Sequence, residues 1–227
     1  MTESKLSLPR VLPIFPLTGT LLLPANWLPL HIFEPRYRSM VADAMAGDRI
    51  IGMIQPVVPR QDNRPAPGSE SELPELYTVG CAGRIDQCRS LAGGRYAIAL
   101  VGVSRFRVVS ELPLEKGYRR AEVDYEGFED DFHLVMDDGG EGTQETLLVA
   151  LKAFGERQGF EFELDKLREL PLTALINGLA MALPFGPAEK QALLEADLLR
   201  RGEILLTLLE MGVDLEQVLE PRSPVPN

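Results

Sequence analysis

The feature that most constrains the fold is a change of pattern along the chain, from strand-like segments in the first half to helical stripes in the second. Extended, β-rich segments occupy residues 76–86, 95–103, 104–112 and 118–126. Further along, the apolar residues recur at helical spacing instead. The sequence therefore predicts an α+β protein. Its predicted parts are a β-rich domain over 1–126, an acidic linker over 127–142 and an α-helical bundle over 143–227.

One helix is predicted inside the β-rich domain, within LPLHIFEPRYRSMVADAM at residues 28–45. The preceding alternation places Trp27 and Phe33 on one face of a strand, and both faces are largely apolar, which is typical of a strand covered on both sides. Pro35 then fits the first turn of a helix and Gly47 its end. The run LAGGR predicts a hairpin turn between two later strands. Several strands with one inserted helix predict a closed or nearly closed β-structure.

The helical half shows stops and starts that divide it into separate helices. A leucine stripe from Leu147 to Phe154 predicts a helix that ends at Gly159. A short helix over 165–170 and a longer one after Pro171 follow. The segment from Pro187 to Gly212 is strongly helical and is predicted to break into two helices near 196–197.

Composition restricts the classes of function. The net charge is −11, and residues 127–145 hold seven acidic residues with no Lys or Arg. Because nucleic-acid binding depends on clustered basic residues, this balance argues against a general nucleic-acid binder. The apolar runs are too short to span a membrane, and the N-terminus shows no secretory pattern, so a cytoplasmic location without membrane attachment is expected.

No motif of an active site or a cofactor site is evident. Phosphate-binding loops, dinucleotide-binding glycines and metal-ligand spacing are all missing, so no cofactor and no metal are expected. His31 with Glu34 is the best candidate for a catalytic pair, but no nucleophile motif accompanies them. A core or rim histidine satisfied by one hydrogen bond explains His31 better. His133 stands among acids in a segment predicted to be solvated. Cys81 and Cys88 are predicted to be free thiols.

The order of segments resembles the N-terminal, substrate-binding LON domain of Lon proteases, which also occurs in cereblon. The residues that carry the resemblance are LPIFPL at 12–17, LLPANWLPLHIFEPRYRSMVADAM at 22–45, IGMI at 51–54, VGCAGRI at 79–85, GGRYAIALVGVSRFRV at 93–108 and YRRAEVDY at 118–125. In the helical half, INGLAMALPF and the segment that follows it match the family's C-terminal bundle. The resemblance implies a PUA-like β pseudo-barrel with an inserted helix, followed by a helical bundle.

The resemblance also implies a function without catalysis. The Walker motifs and the Ser–Lys protease domain of Lon proteases are not recognisable here, so no enzyme activity is expected. The chain is interpreted as a module that binds exposed apolar segments of unfolded or partner proteins, with a separate protease or chaperone as a candidate partner. Apolar surface and open strand edges would hold the extended peptide. Its predicted contacts are Trp27, Phe33, Met53 and Phe185.

A second interpretation comes from the PUA-like fold, since such domains often bind RNA or modified bases. The candidate anion-binding residues are Arg105, Arg107, Arg119 and Arg120. Arg105 and Arg107 alternate with an apolar residue and so share one strand face. A solvated or salt-bridged outer face explains the same pattern, and the net charge weighs against nucleic acid.

Overall fold

The computed structural model of the chain describes residues 8–57, 73–132 and 141–211. The chain divides into two compact units, a β unit up to residue 135 and a helical unit from residue 136. This division falls inside the segment predicted to be a linker. His133 lies outside the described residues. The α+β class is confirmed.

The β unit consists of six strands and one inserted helix within the described residues. The elements are β1 Val11–Pro16, β2 Trp27–Ile32, α1 Pro35–Ala46, β3 Ile50–Ile54, β4 Val79–Leu91, β5 Arg95–Glu115 and β6 Tyr118–Asp124. The sheet order is β2-β5-β4-β3-β1-β6, and an additional pairing of β5 with β6 closes five strands into a ring. The ring is the predicted pseudo-barrel, and β2 is attached to its outside through β5.

The segments predicted as two strands, 95–103 and 104–112, form the single strand β5. Its first half pairs with β2 and β4, and its second half pairs with β6. Two register shifts interrupt each of its ladders with β4 and β6. Such irregularities bend a strand, so one strand can turn from one side of the barrel to the other without a loop. The prediction of two strands is wrong for this reason.

Phe106 fills the interior of the barrel. Its side chain is fully buried and lies against two glycines of neighbouring strands. A Cβ atom at Gly80 would come within 2.4 Å of the Phe106 ring, and one at Gly52 within 3.0 Å of it. The remaining members of this core are Leu12, Ile14, Ile50, Ile54, Ala82, Ala121 and Val123.

Helix α1 packs on the barrel through aromatic and polar contacts. The rings of Phe15 and Tyr37 lie 4.4 Å apart. At the other side of the helix, the hydroxyl of Tyr118 donates to Asp43 at 2.9 Å, and Lys116 pairs with the same carboxylate at 2.6 Å. Burial, followed by the neighbouring Asp43 carboxylate, raises the pKa of Tyr118 to about 12. The predicted start of α1 at Pro35 is confirmed.

The start of the predicted acidic linker packs on the β unit. Phe128 is buried, and residues 129–132 form a short 3₁₀ turn. Asp131 in this turn pairs with Arg105 of β5, and the Arg105 guanidinium lies 4.9 Å from the centre of the Phe128 ring. Phe128 and Asp131 therefore anchor the start of this segment on the β unit, whereas Glu129, Asp130 and Phe132 remain exposed.

The helical unit contains α2 Glu141–Gln158, α3 Leu164–Arg168, α4 Leu172–Ala182, α5 Pro187–Glu195 and α6 Leu198–Met211. The predicted break between α5 and α6 is confirmed, and α2 ends just before Gly159 as expected. Helix α6 contacts α2, α4 and α5, so it occupies the centre of the unit. Among the described helices, none is long and apolar enough to cross a membrane.

Candidate functional site

Strand β2 lies at one end of the sheet and presents one side to solvent. Its six residues pair antiparallel with β5, from Trp27 opposite Val101 to Ile32 opposite Tyr96. Strand β5 pairs in turn with β4 on its other side. Residues that lie directly opposite each other in an antiparallel pair share a face of the sheet. The registers therefore fix which side chains of the three strands lie together.

We call the exposed side of these strands the β2–β4 face. It is formed by three rows of three residues, Trp27–Val101–Arg84, Pro29–Ala99–Gln87 and His31–Ala97–Arg89. The residues in these rows from β2 and β4 are exposed, and those from β5 are partly exposed. On the opposite side of the sheet, Ile98 and Leu100 are buried in the core.

The β2–β4 face has the shape of a shallow trough that runs along β5. Its floor is made of Ala97 and Ala99, whose side chains are shorter than those on either side. Trp27, with 52% of its surface exposed, stands on the β2 side, and Phe33, just after the strand, is 63% exposed. Neighbouring strands lie about 4.8 Å apart, so the two walls are separated by about 10 Å. That width accommodates one extended polypeptide.

The wall on β4 is basic. Arg84 and Arg89 lie on it with Gln87 between them, and Arg95 follows the turn to β5. Asp86 is the one acidic residue in β4, at a bulge between Ile85 and Gln87. Although the chain as a whole is acidic, this wall carries an excess of positive charge.

Two of the four predicted peptide contacts lie on this side of the β unit, and two do not. Trp27 and Phe33 are exposed at the two ends of β2. Met53 and Phe185 are each 3% exposed, Met53 in β3 and Phe185 in the helical unit, where its ring lies 6.5 Å from that of Phe154. The prediction of Met53 and Phe185 as contacts is wrong because both side chains are packed in cores.

The four arginines of the alternative anion site are not a free basic cluster. Arg105 is buried and paired with Asp131. Arg119 is buried too, and its guanidinium donates to Glu111 and, at 2.7 Å, to the carbonyl of Pro74. The predicted shared face of Arg105 and Arg107 fits the structure, since both lie over the ring of Phe128.

The remaining member of that set, Arg120, is half-buried and contacts Glu115 at 3.4 Å. Only Arg107 of the four is exposed. Phosphate recognition requires several basic side chains that reach the ligand together. The structure therefore gives this alternative less support than the sequence did.

The candidate catalytic pair is not assembled either. His31 is exposed on the β2–β4 face, whereas the Glu34 carboxylate accepts a hydrogen bond from Arg36 at 3.1 Å. Cys81 and Cys88 are free, and burial raises the pKa of the Cys88 thiol. Within residues 8–57, 73–132 and 141–211, no group of three His, Cys, Asp or Glu side chains is placed to hold a metal ion.

The helical unit contains a cavity of about 500 Å³ between α2, α4 and α6. Its lining is mostly apolar and includes Leu147, Leu172, Ile176, Leu198 and Leu206. Thr146, at its edge, already donates its hydroxyl to the Gly142 carbonyl of its own helix. Glu203 is the one charged residue of the lining, and it pairs with Arg200. We therefore assign this cavity no function.

Sequence reasoning missed the floor and the basic wall of the β2–β4 face. The alternating small residues in YAIALV and the spaced arginines in RIDQCRS were visible as patterns. Their placement beside Trp27 depends on the registers of two ladders, which no local pattern specifies.

Comparison with known proteins adds a family assignment to this geometry. The profile of the ATP-dependent protease La (LON) substrate-binding domain matches residues 11–211. A Lon protease from Anaeromyxobacter dehalogenans is 28% identical over 91% of this chain, and Lon protease 2 from Sorangium cellulosum is 30% identical over 91%. The matches cover 24% and 25% of those proteins, so the chain spans about a quarter of their length.

Solved structures show the same fold. A Lon N-terminal domain protein from Xanthomonas campestris is 26% identical, with a TM-score of 0.57 over 87% of this chain and 97% of that one. The N-terminal domain of a Mycobacterium avium complex Lon protease aligns with a TM-score of 0.56 at 19% identity, over 87% of this chain and 96% of that one. At this identity the second likeness concerns the fold alone.

Proposed function

The chain belongs to the ATP-dependent protease La (LON) substrate-binding domain family, and from that premise we propose that it is a non-catalytic module that binds extended apolar segments of unfolded or partner proteins. We propose the β2–β4 face as the binding site. The family supports recognition of protein substrates in general. The observation that supports this particular site is the exposure of Trp27 and Phe33 at the two ends of one strand.

The spacing of these aromatic side chains suits an extended ligand. Phe33 lies six positions after Trp27 along the extended chain, which corresponds to about 20 Å. An extended segment of similar length contacts both rings, and burying an aromatic ring removes a large apolar area from water. Exposed apolar surface of this kind often marks an interaction site.

The ligand is proposed to lie on the face and not along the open edge of β2. Pro29, in the middle of the strand, has no N–H to donate to a ladder, and proline within a sheet is found on edges whose N side faces solvent. An added strand would thus meet an interrupted row of donors. The trough offers side-chain contacts that do not depend on that row.

The experiment uses Trp27 as its own reporter, because it is the single tryptophan of the chain. A short capped peptide of alternating leucine and serine is titrated into the whole chain while the tryptophan emission is recorded. We expect a saturable blue shift, since the peptide would shield the ring from water. Phe33→Ala should weaken binding by about tenfold.

The matched control is Val109→Ala, which removes an equally exposed apolar side chain at 61% exposure from the far half of β5. This variant should bind the peptide as the parent does. No saturable change in emission, or equal weakening by Val109→Ala and Phe33→Ala, would overturn the proposal.

We also propose that a protease or a chaperone receives the bound segment, in the same protein or as a separate partner. Support comes from the curated relatives, which are themselves Lon proteases. Native affinity purification from host lysate, with mass spectrometry of the eluate, should recover such a protein. Recovery of nucleic acid without a protein partner would contradict it. The cytoplasmic location stays a prediction.

A further inference from the structure

We infer that the β2–β4 face selects extended segments in which acidic residues alternate with apolar ones. This inference rests on the proposed function and specifies the class of segment that the face binds. It follows from the difference between the two walls of the trough, one aromatic and one basic, on either side of a floor of alanine.

The direction of the trough determines how a ligand presents its side chains. Ala97 and Ala99 follow each other along β5, so the low floor runs parallel to the strand. An extended chain laid on this floor directs successive side chains to opposite walls. Side chains at every second position meet the β2 wall with Trp27 and Pro29, and those in between meet the β4 wall.

The β4 wall favours carboxylates. Arg84 lies opposite Val101, and Arg89 lies opposite Ala97, so the Cα atoms of the two arginines are separated by about 13 Å along the strand direction. Both side chains are exposed, with Gln87 between them. A ligand stretch ordered acid, apolar, polar, apolar, acid therefore places one carboxylate near each arginine and a polar group near Gln87.

Charge complementarity disfavours segments in which basic residues take the place of the acidic ones. A lysine at either outer position would face a guanidinium at close range, which is repulsive, whereas arginine and carboxylate form directional hydrogen bonds. Asp86 reduces the positive field of the wall without cancelling it, because Arg84, Arg89 and Arg95 outnumber it. Because the site is exposed, the preference for acidic over basic residues in the ligand should be modest.

Three capped peptides test the inference with the whole chain. All have leucine at alternate positions, and the other positions carry glutamate, serine or lysine. We expect the glutamate peptide to bind about fivefold more tightly than the serine peptide at low salt, and the lysine peptide to bind most weakly. Raising the salt concentration should bring the three affinities together.

Charge-neutralising variants locate the effect. Arg84→Gln and Arg89→Gln should each lower the ratio of the affinity for the glutamate peptide to the affinity for the serine peptide. Arg10→Gln, at an exposed arginine outside the face, is the control and should change neither affinity.

The outcomes separate the two proposals. Equal affinity for the glutamate and serine peptides would overturn this inference and leave the proposed function standing. Failure of all three peptides to bind would overturn the proposed function together with it. A preference for glutamate that persists in both Arg84→Gln and Arg89→Gln would also overturn the inference, because the acid would then be recognised elsewhere.

Discussion

Arg105 and Asp131 form a buried ion pair that fixes the segment after β6 to the middle of β5. The Arg105 guanidinium donates to Oδ1 of Asp131 at 2.9 Å, and the Arg105 backbone N–H donates to Oδ2 at 2.7 Å. Each side chain is only 8% exposed. One carboxylate thereby satisfies a backbone donor and a buried charge at once.

Removing the charge of Asp131 should destabilise the β unit. In Asp131→Asn the side chain keeps its size, but the buried Arg105 guanidinium loses the negative charge of the Asp131 carboxylate. We expect a loss of about 3 kcal/mol in the free energy of unfolding, typical of breaking a buried pair. Urea titration followed by tryptophan emission and circular dichroism measures this loss. Asp130→Asn changes an exposed neighbour and should cost less than about 0.5 kcal/mol.

The helical unit also contains a buried arginine held by hydrogen bonds, Arg201. Its guanidinium donates to the carbonyl of Leu193 at 2.7 Å, to Asn177 Oδ1 at 2.7 Å and to the carbonyl of Ala196 at 2.8 Å. Two of these acceptors lie at the C-terminal end of α5, where carbonyl groups lack partners within the helix. Arg201→Met should therefore lower the free energy of unfolding by about 3 kcal/mol.

Thermal unfolding followed by circular dichroism at helical wavelengths checks the Arg201 prediction. Arg200→Met is the neighbouring control, because Arg200 is exposed and pairs with Glu203 on the surface. A similar loss of stability in both variants would mean that the buried hydrogen bonds of Arg201 contribute no more than the surface ion pair of Arg200.

Tyr118 should make the β unit sensitive to alkaline pH. Burial and Asp43 raise its pKa to about 12 in the folded state, against about 10 in the unfolded chain. The stability from this group is fully present below about pH 10. It is lost as pH rises toward 12, because the unfolded tyrosine then ionises while the folded one stays protonated.

Tyr118→Phe tests this dependence. It removes the hydrogen bond to Asp43 and should cost about 1 kcal/mol at neutral pH. Above pH 10 its stability should fall less steeply than that of the parent, as measured by urea titrations at a series of pH values. The same alkaline slope in parent and variant would contradict the assignment. Some decline should remain, since burial also raises the pKa of Tyr125.

Gly102 allows the segment before β2 to approach β5. A Cβ atom at this position would lie 2.1 Å from the carbonyl oxygen of Leu23, a backbone atom that cannot move aside cheaply. The Gly102 N–H donates to the carbonyl of Asn26 at 2.9 Å. Gly102→Ala should therefore cost about 3 kcal/mol through overpacking and displace the start of β2.

Urea titration measures the loss in Gly102→Ala, and the emission of the adjacent Trp27 reports the displacement. Gly47→Ala is the control within the same unit. A Cβ atom there would meet only ordinary contacts, the nearest at 3.7 Å. If Gly102→Ala unfolds like the parent, the close approach of Leu23 is not a constraint on the fold.

Most of the secondary structure of this protein could be predicted from its sequence. Pro35 begins α1, Gly93 and Gly94 take positive φ values of 74° and 70° in the predicted turn, and α5 ends at Glu195 where the helical stripe is interrupted. Each of these outcomes depends on the conformational preference of one residue or on a short apolar period. Such signals act over a few neighbouring residues, so they can be recognised in the sequence.

Only half of the candidate site could be predicted from the sequence. Large apolar residues beside turns or strand ends predict Trp27 and Phe33 as contacts, but the same pattern also predicts Met53 and Phe185, which are buried. Arg105 was predicted to be available for an anion, and it instead faces Asp131. The pattern showed which side chains share a face, but it did not show what covers that face.

The sequence by itself determined the order of strands and helices and the division into a β-rich and a helical part, because these follow from periodicity and local backbone preference. Only the tertiary structure decided which apolar and charged side chains remain exposed. Exposure depends on partners far away in the chain, such as the register that places Ala99 between Pro29 and Gln87. The β2–β4 face exists because two ladders align three strands, and no single strand encodes it.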